Sequence, residues 1–178
     1  MIDTLIFGGT FDPVHYGHVI LAESILDTLE KDAQIVFIPN KEPPHRSLPI
    51  ASAKERIDML NLALKGRPNF FVDDIEIKKS GVSYSIQTLK SYRKIYGPNF
   101  SLSFFLCESE IWPNLLNNIK LRNIKLILIN GRMTKRSFDR WKKIYNFAKN
   151  IFNKFDICFV QNSETKTRLA KLGAKNIK

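Results

Sequence analysis

The residues best suited to chemistry lie together near the N-terminus, in the run Gly8-Gly9-Thr10-Phe11-Asp12-Pro13-Val14-His15-Tyr16-Gly17-His18. Glycines closing an apolar run let backbone amides approach an anion without a Cβ in the way. A helix opening near His15 would aim its free N–H groups and the positive end of its dipole at the same point. His15 and His18, three residues apart, can face one pocket and donate hydrogen bonds to phosphate oxygens. A lone Gly-Gly turn would be read as a turn and no more. Two glycines, an Asp-Pro step and His-x-Gly-His in one strand-to-helix connection favour a phosphate site.

Such a loop has to be held by a strand before it and a helix after it, and the pattern supplies both. Short apolar runs rich in β-branched or aromatic residues fall at 4–7, 34–38, 70–72, 102–106, 126–129 and 157–160 and are expected to be strands. Helical spacing appears between them. Over 18–29 the apolar residues Val19, Ala22, Ile25, Leu26 and Leu29 fall on one face, and over 53–64 Ile57, Leu60 and Leu64 do the same. Ser52, with Glu55 three residues on, is expected to cap the second of these helices. Residues 84–96 and 138–155 are two further expected helices. Strands alternating with helices across short connections predict an α/β fold, a doubly wound parallel sheet covered on both faces.

Composition divides the chain. Its 178 residues, 44% apolar and 25% charged, are those of a globular protein, and its net charge is +11. That charge is not spread evenly. Residues 1–104 hold 12 basic and 12 acidic side chains, whereas 105–178 hold 16 and 5. A basic chain would ordinarily suggest nucleic acid, but here the half with the phosphate loop is neutral, so no nucleic-acid partner is expected. No run reaches the roughly 18 apolar residues of a membrane span, and Asp3, Asp12 and His15 interrupt any signal-peptide pattern. Cys107 and Cys158 lack metal-ligand spacing and are expected to be buried free thiols of a cytoplasmic protein.

The segment 8–18 resembles the signature of the nucleotidyltransferase superfamily, and within it the bacterial nicotinate-nucleotide adenylyltransferases. Two later stretches carry the resemblance further. They are Pro39-Asn40-Lys41-Glu42-Pro43-Pro44-His45-Arg46 and Ser83-Tyr84-Ser85-Ile86-Gln87-Thr88-Leu89; Asp74-Ile75-Glu76 and Arg56 also fall where that family has them. The resemblance covers residues 1–104 and implies a Rossmann-like fold. It also implies adenylyl transfer from ATP to nicotinate mononucleotide, giving deamido-NAD and pyrophosphate. His15 and His18 would be the catalytic pair on the triphosphate, helped by Gly8, Gly9, Thr10 and Phe11. Lys41 and His45 would add positive charge, and a magnesium ion would bridge the phosphates. Tyr84 and Thr88 would line the nicotinate side, with Tyr84 equally readable as a core aromatic. Asp12 would either sit near the nucleotide or orient the loop.

After residue 104 that resemblance stops. Neither an Ile-Gly-x-Asp turn nor a Ser-Thr-x-x-Arg phosphate-gripping element follows, and Ser163-Glu164-Thr165-Lys166-Thr167-Arg168 has the wrong spacing. Instead Glu108-Ser109-Glu110-Ile111-Trp112-Pro113-Asn114-Leu115 resembles an element of the 3-deoxy-D-manno-octulosonic acid (Kdo) transferases, which modify lipid A. The similarity continues in order through 126–132, 137–138, 161–164 and 168–176. It matches part of that family's acceptor-binding domain, with no nucleotide-sugar domain. The helix 138–155 sets Phe138, Trp141, Ile144, Tyr145, Ala148, Ile151, Phe152 and Phe155 against Arg136, Arg140, Lys142, Lys143, Lys149 and Lys154. It is expected to face the core, the alternative being contact with an anionic membrane. Residues 131–137 lack the second glycine of a P-loop.

The expectation is therefore a hybrid: a nucleotidyltransferase segment over 1–104 joined near 104–107 to a Kdo-transferase-like segment over 105–178, possibly continuing one sheet. Its expected function is the adenylyl transfer, impaired by the missing phosphate grip. The alternatives are a glycosyl-transfer fragment, an inactive hybrid, or a basic module adhering to anionic membranes or nucleic acid. The sequence sets no oligomeric state.

Overall fold

The computed structural model describes residues 4–27, 32–42, 48–82, 84–97, 99–107 and 111–178, and the chain divides into two units, Met1–Leu102 and Ser103–Lys178.

The first unit places β1 (Thr4–Gly9), β2 (Gln34–Pro39) and β3 (Phe70–Val72) side by side in the order β3-β2-β1, all parallel. Thr4, Leu5, Ile6 and Phe7 are all buried, as are Ile35, Val36, Phe37 and Ile38. Burial of successive rather than alternate residues means both faces of these strands are covered, as a parallel sheet requires. The covering helices are α1 (Tyr16–Leu26), α2 (Ala53–Ala63) and α3 (Ser85–Tyr96). In α1 the buried positions are Val19, Ala22 and Ile25, and in α3 they are Thr88, Leu89 and Tyr92. Helix α2 starts where the sequence expects it. The Ser52 side chain accepts from the Glu55 N–H (3.3 Å), and the Glu55 carboxylate accepts from the Ser52 N–H (2.7 Å).

The second unit repeats the plan. Strands β4 (Leu102–Cys107), β5 (Lys125–Gly131) and β6 (Ile157–Val160) are parallel, in the order β4-β5-β6. Helices α4 (Pro113–Lys120), α5 (Lys135–Lys143), α6 (Tyr145–Phe152) and α7 (Ser163–Lys171) accompany them. The Asp156 carboxylate joins three segments, accepting from the Lys120 ammonium (2.8 and 2.9 Å) and from the Leu126 N–H (2.6 Å). Cys158 is a buried free thiol whose pKa is pushed up to about 12, by burial first and the Asp156 charge second.

One element differs from expectation. Residues 138–155 do not form a single helix: the chain breaks at Ile144 (φ −120°, ψ 48°) into α5 and α6. A straight helix would separate residues 141 and 152 by about 16 Å along its axis. The break instead lets the Trp141 ring meet Phe152 edge-on, with centroids 5.3 Å apart, and stack near Phe147 at 6.3 Å. Only α6 faces the core, through Ala148, Ile151 and Phe152; α5 buries no residue.

Candidate active site

The connection from β1 to α1 folds tightly on itself. Phe11 has a left-handed backbone (φ 51°), and its side chain is 2% exposed, packed edge-on to Phe7 (5.7 Å between centroids) and His18 (5.1 Å). A Cβ on Gly9 would lie 2.9 Å from that ring, so only glycine permits the approach. Phe11 thus offers an incoming anion its main chain rather than its ring. Gly8 is exposed at the end of β1.

His15 is the N-cap of α1 and is exposed. Its ring lies on that of His18, with centroids 3.9 Å apart and planes 33° apart. Gly17 makes room for this pair, since a Cβ there would sit 3.0 Å from the His15 ring. His18 is partly buried between Phe7, Phe11 and His15. Burial, and then the charge of His15, lower its pKa to about 4, so the ring is neutral at physiological pH. Its Nδ1 accepts from the His15 N–H at 3.3 Å. A neutral imidazole accepting at Nδ1 carries its proton on Nε2, so His18 is a neutral donor through Nε2.

Three further segments brace the loop. The Asn40 N–H donates to the Gly9 carbonyl (2.9 Å), and the Asn40 side-chain amide donates to the Thr10 hydroxyl (3.3 Å). Asp12 uses both carboxylate oxygens on the backbone ahead of α2, accepting from the Ile50 N–H (2.6 Å) and the Ala51 N–H (3.1 Å). Arg56, in α2 and 2% exposed, donates to the carbonyls of Thr10 (2.8 Å), Asn40 (2.7 Å) and Ala51 (3.3 Å). Burial lowers the guanidinium pKa and the Asp12 charge opposes that shift.

A second cluster forms around α3. Thr88 is buried and donates to the buried Glu76 carboxylate (2.5 Å), while Tyr84, the N-cap of α3, is 47% exposed. Both line a cleft with Glu76, Lys79, Gly81, Val82 and Gln87. Lys41 reaches this side, donating to the Lys79 carbonyl (3.0 Å), and Lys79 donates to the Ser91 hydroxyl (2.8 Å). The structure thus gathers Gly8, Gly9, Thr10, Phe11, Asp12, His15 and His18 in one loop and Tyr84 and Thr88 in another cleft. His45, Glu108 and Glu110 lie outside the described residues.

The bracing roles of Arg56 and Asn40 do not follow from the motif. A signal for Arg56 existed: with Leu60 and Leu64 it lies at i, i+4 and i+8, on the face of α2 that points inward. A charged residue at a core position of a helix is buried only if its donors are satisfied.

Parallel strands, a phosphate-type loop between β1 and α1, and a neutral donor histidine at the helix start define an α/β protein of the nucleotidyltransferase, Rossmann-like type. Comparison with solved structures agrees on the fold. A nicotinic acid mononucleotide adenylyltransferase of Plasmodium falciparum, complexed with NaAD, superposes with a TM-score of 0.62 at 18% identity, covering 94% of this chain and 80% of that one. Among curated proteins, a probable nicotinate-nucleotide adenylyltransferase of Coxiella burnetii is 44% identical over 91 residues, 51% of this chain and 42% of the relative. That of Serratia proteamaculans is 35% identical over 144 residues, 76% of this chain and 65% of the relative. A third, of Citrobacter koseri, is 41% identical over 106 residues, 60% of this chain and 49% of the relative. The chain spans from under half to about two thirds of the length of these relatives. A family model, 3-deoxy-D-manno-octulosonic-acid transferase (kdotransferase), matches residues 89–178. The chain therefore belongs to the kdotransferase family over residues 89–178 and is a homologue of the nicotinate-nucleotide adenylyltransferases. The Serratia match is long enough that it must run into the residues the family model covers.

Proposed function

We propose that this chain transfers the adenylyl group of ATP to nicotinate mononucleotide. A phosphate oxygen of the mononucleotide attacks the α-phosphorus, the bond from that phosphorus to the bridging oxygen breaks, and pyrophosphate leaves with its electron pair. Deamido-NAD is the other product. Such a transfer asks the protein for position and charge neutralisation more than for covalent help. The observation carrying the reading is the His15–His18 pair at the α1 N-terminus, with His18 neutral and its Nε2–H free to donate. In this reading His15 and His18 bind the phosphates as charge shifts to the leaving group. The loop amides and Thr10 assist them, Lys41 and His45 supply positive charge, and Tyr84 and Thr88 border the nicotinate ring. Asp12 acts at one remove, because its carboxylate is engaged with Ile50 and Ala51.

Magnesium would enter this site as a companion of the triphosphate. Among the described residues no three His, Cys, Asp or Glu side chains gather into a metal cage. Mg²⁺ commonly keeps its waters and binds through one or two carboxylates plus substrate phosphates. Bound there, it would neutralise phosphate charge.

The join between the two segments belongs to the same proposal: a nucleotidyltransferase segment to about residue 104, then the kdotransferase-like segment, in a cytoplasmic enzyme. Among the described residues no helix is long and apolar enough to cross a membrane. Turnover is expected to be lower than in relatives that carry a Ser-Thr-x-x-Arg element to grip the phosphates, because residues 105–178 hold none. The family match over 89–178 favours a second reading, a fragment of a sugar-transfer acceptor domain.

The test is deamido-NAD formation from ATP and nicotinate mononucleotide. The wild-type chain is expected to exceed the double variant His15→Ala/His18→Ala by about a hundredfold or more, the scale of a lost electrostatic stabiliser. Equal rates would refute catalysis by this loop.

A further inference from the structure

We infer that Arg56 is a positioning residue for phosphate binding, aligning the loop amide that meets the anion without itself touching the ligand; this inference rests on the adenylyl-transfer reading. The peptide that joins Thr10 to Phe11 is trans. In a trans peptide the carbonyl and the following N–H point in opposite directions. Arg56 holds the Thr10 carbonyl at 2.8 Å, so the Phe11 N–H is directed away from the guanidinium. That N–H has no hydrogen-bond partner among the described residues. It is a donor preset for an acceptor from outside the loop.

The same guanidinium nitrogen holds the Asn40 carbonyl at 2.7 Å, and Asn40 in turn donates to Gly9 and Thr10. The guanidinium Nε holds Ala51, whose own N–H is held by Asp12. Arg56 and Asp12 therefore close a buckle that runs from the phosphate loop through the end of β2 to the start of α2 and back. An arginine suits this place because its fixed fork of donors can serve several carbonyls at once, whereas a lysine presents one compact ammonium. A preset donor needs no reorganisation when charge develops in front of it.

Three variants separate positioning from mere stability. Arg56→Met removes the donors, Arg56→Lys keeps the charge, and Leu60→Ala opens a cavity one turn along the same buried face of α2 while leaving every hydrogen bond of Arg56 in place. Each is measured, at a temperature where circular dichroism shows it folded, by calorimetric titration with magnesium-free tripolyphosphate. Ligand-free ¹⁵N heteronuclear relaxation of the Thr10 and Phe11 amides is recorded alongside. Arg56→Met is expected to weaken tripolyphosphate by about tenfold, the loss typical of a charged hydrogen bond, and to increase fast motion at Thr10 and Phe11. Arg56→Lys is expected to fall between Arg56→Met and wild type, and Leu60→Ala to bind as wild type. Equal weakening by Leu60→Ala and Arg56→Met would overturn the inference, as would unchanged amide relaxation in Arg56→Met. If the wild-type chain binds no tripolyphosphate, the adenylyl-transfer reading fails. The ligand-free relaxation data then still decide whether Arg56 orders the loop.

Discussion

His18 offers the sharpest quantitative test of the site. Its imidazole is covered by Phe7 and Phe11 and stacked on His15, and its pKa is lowered from 6.5 to about 4. At pH 5 an unfolded His18 carries a proton and the folded one does not. The unfolded state thus binds more protons between about pH 4 and 6.5, and stability contributed by this group rises with pH across that window. At about 1.4 kcal/mol per unit the shift sets an upper bound near 3 kcal/mol, which water on the open side of the ring reduces to about 1–2 kcal/mol. The experiment is an NMR titration of the His18 ring. The wild type is expected to titrate near pH 4, and His15→Asn to raise the midpoint only partly, because burial is the larger cause. Phe11→Ala, which uncovers a ring edge 5.1 Å away, is expected to raise it further. Saturating tripolyphosphate should also raise it, since a neighbouring anion favours the imidazolium. A wild-type midpoint near 6.5 would refute the argument. So would a full return to 6.5 in His15→Asn alone, because charge rather than burial would then be the cause.

Variants at two further sites probe the frame. Gly9→Ala places a Cβ 2.9 Å from the Phe11 ring, and should cost about 1–3 kcal/mol in urea unfolding while weakening triphosphate binding. A Gly9→Ala variant with unchanged stability and binding would show that the loop yields easily. In the second unit, Asp156→Ala strips acceptors from Lys120 and from the Leu126 N–H, and is expected to cost about 1–3 kcal/mol by the same measurement. Asp156→Asn, which keeps an acceptor for Leu126, should lose less.

Strands β1, β2, β4 and β5 were legible because each is a short apolar run whose burial on both faces needs no alternation. Ile35 to Ile38 in β2 and Leu126 to Ile129 in β5 are examples. Helix α2 was legible because its capping pair, Ser52 and Glu55, acts over three residues. The break at Ile144 was not. No proline or glycine marks it, and the contact that rewards it, Trp141 against Phe152, depends on how α5 folds back along α6. Helix α4 is eight residues long, too short for an amphipathic pattern to declare itself, although Pro113 sits at its start as helix beginnings favour.

The sequence by itself determined the tight loop between β1 and α1. Glycines, histidines and a strand-to-helix turn within residues 8–18 act on one another locally, and local geometry follows from residue type and spacing. It also determined the split in charge and the two resemblances, since both are properties of composition and order. Only the tertiary structure decided what each side chain does there. It turned Asp12 to backbone amides 38 and 39 residues away, Arg56 to a carbonyl 46 residues away, and Thr88 to a carboxylate 12 residues away. A hydrogen bond is set by distance and angle in space. Its partner is therefore fixed once the sheet has brought distant segments together, and no spacing along the chain announces it.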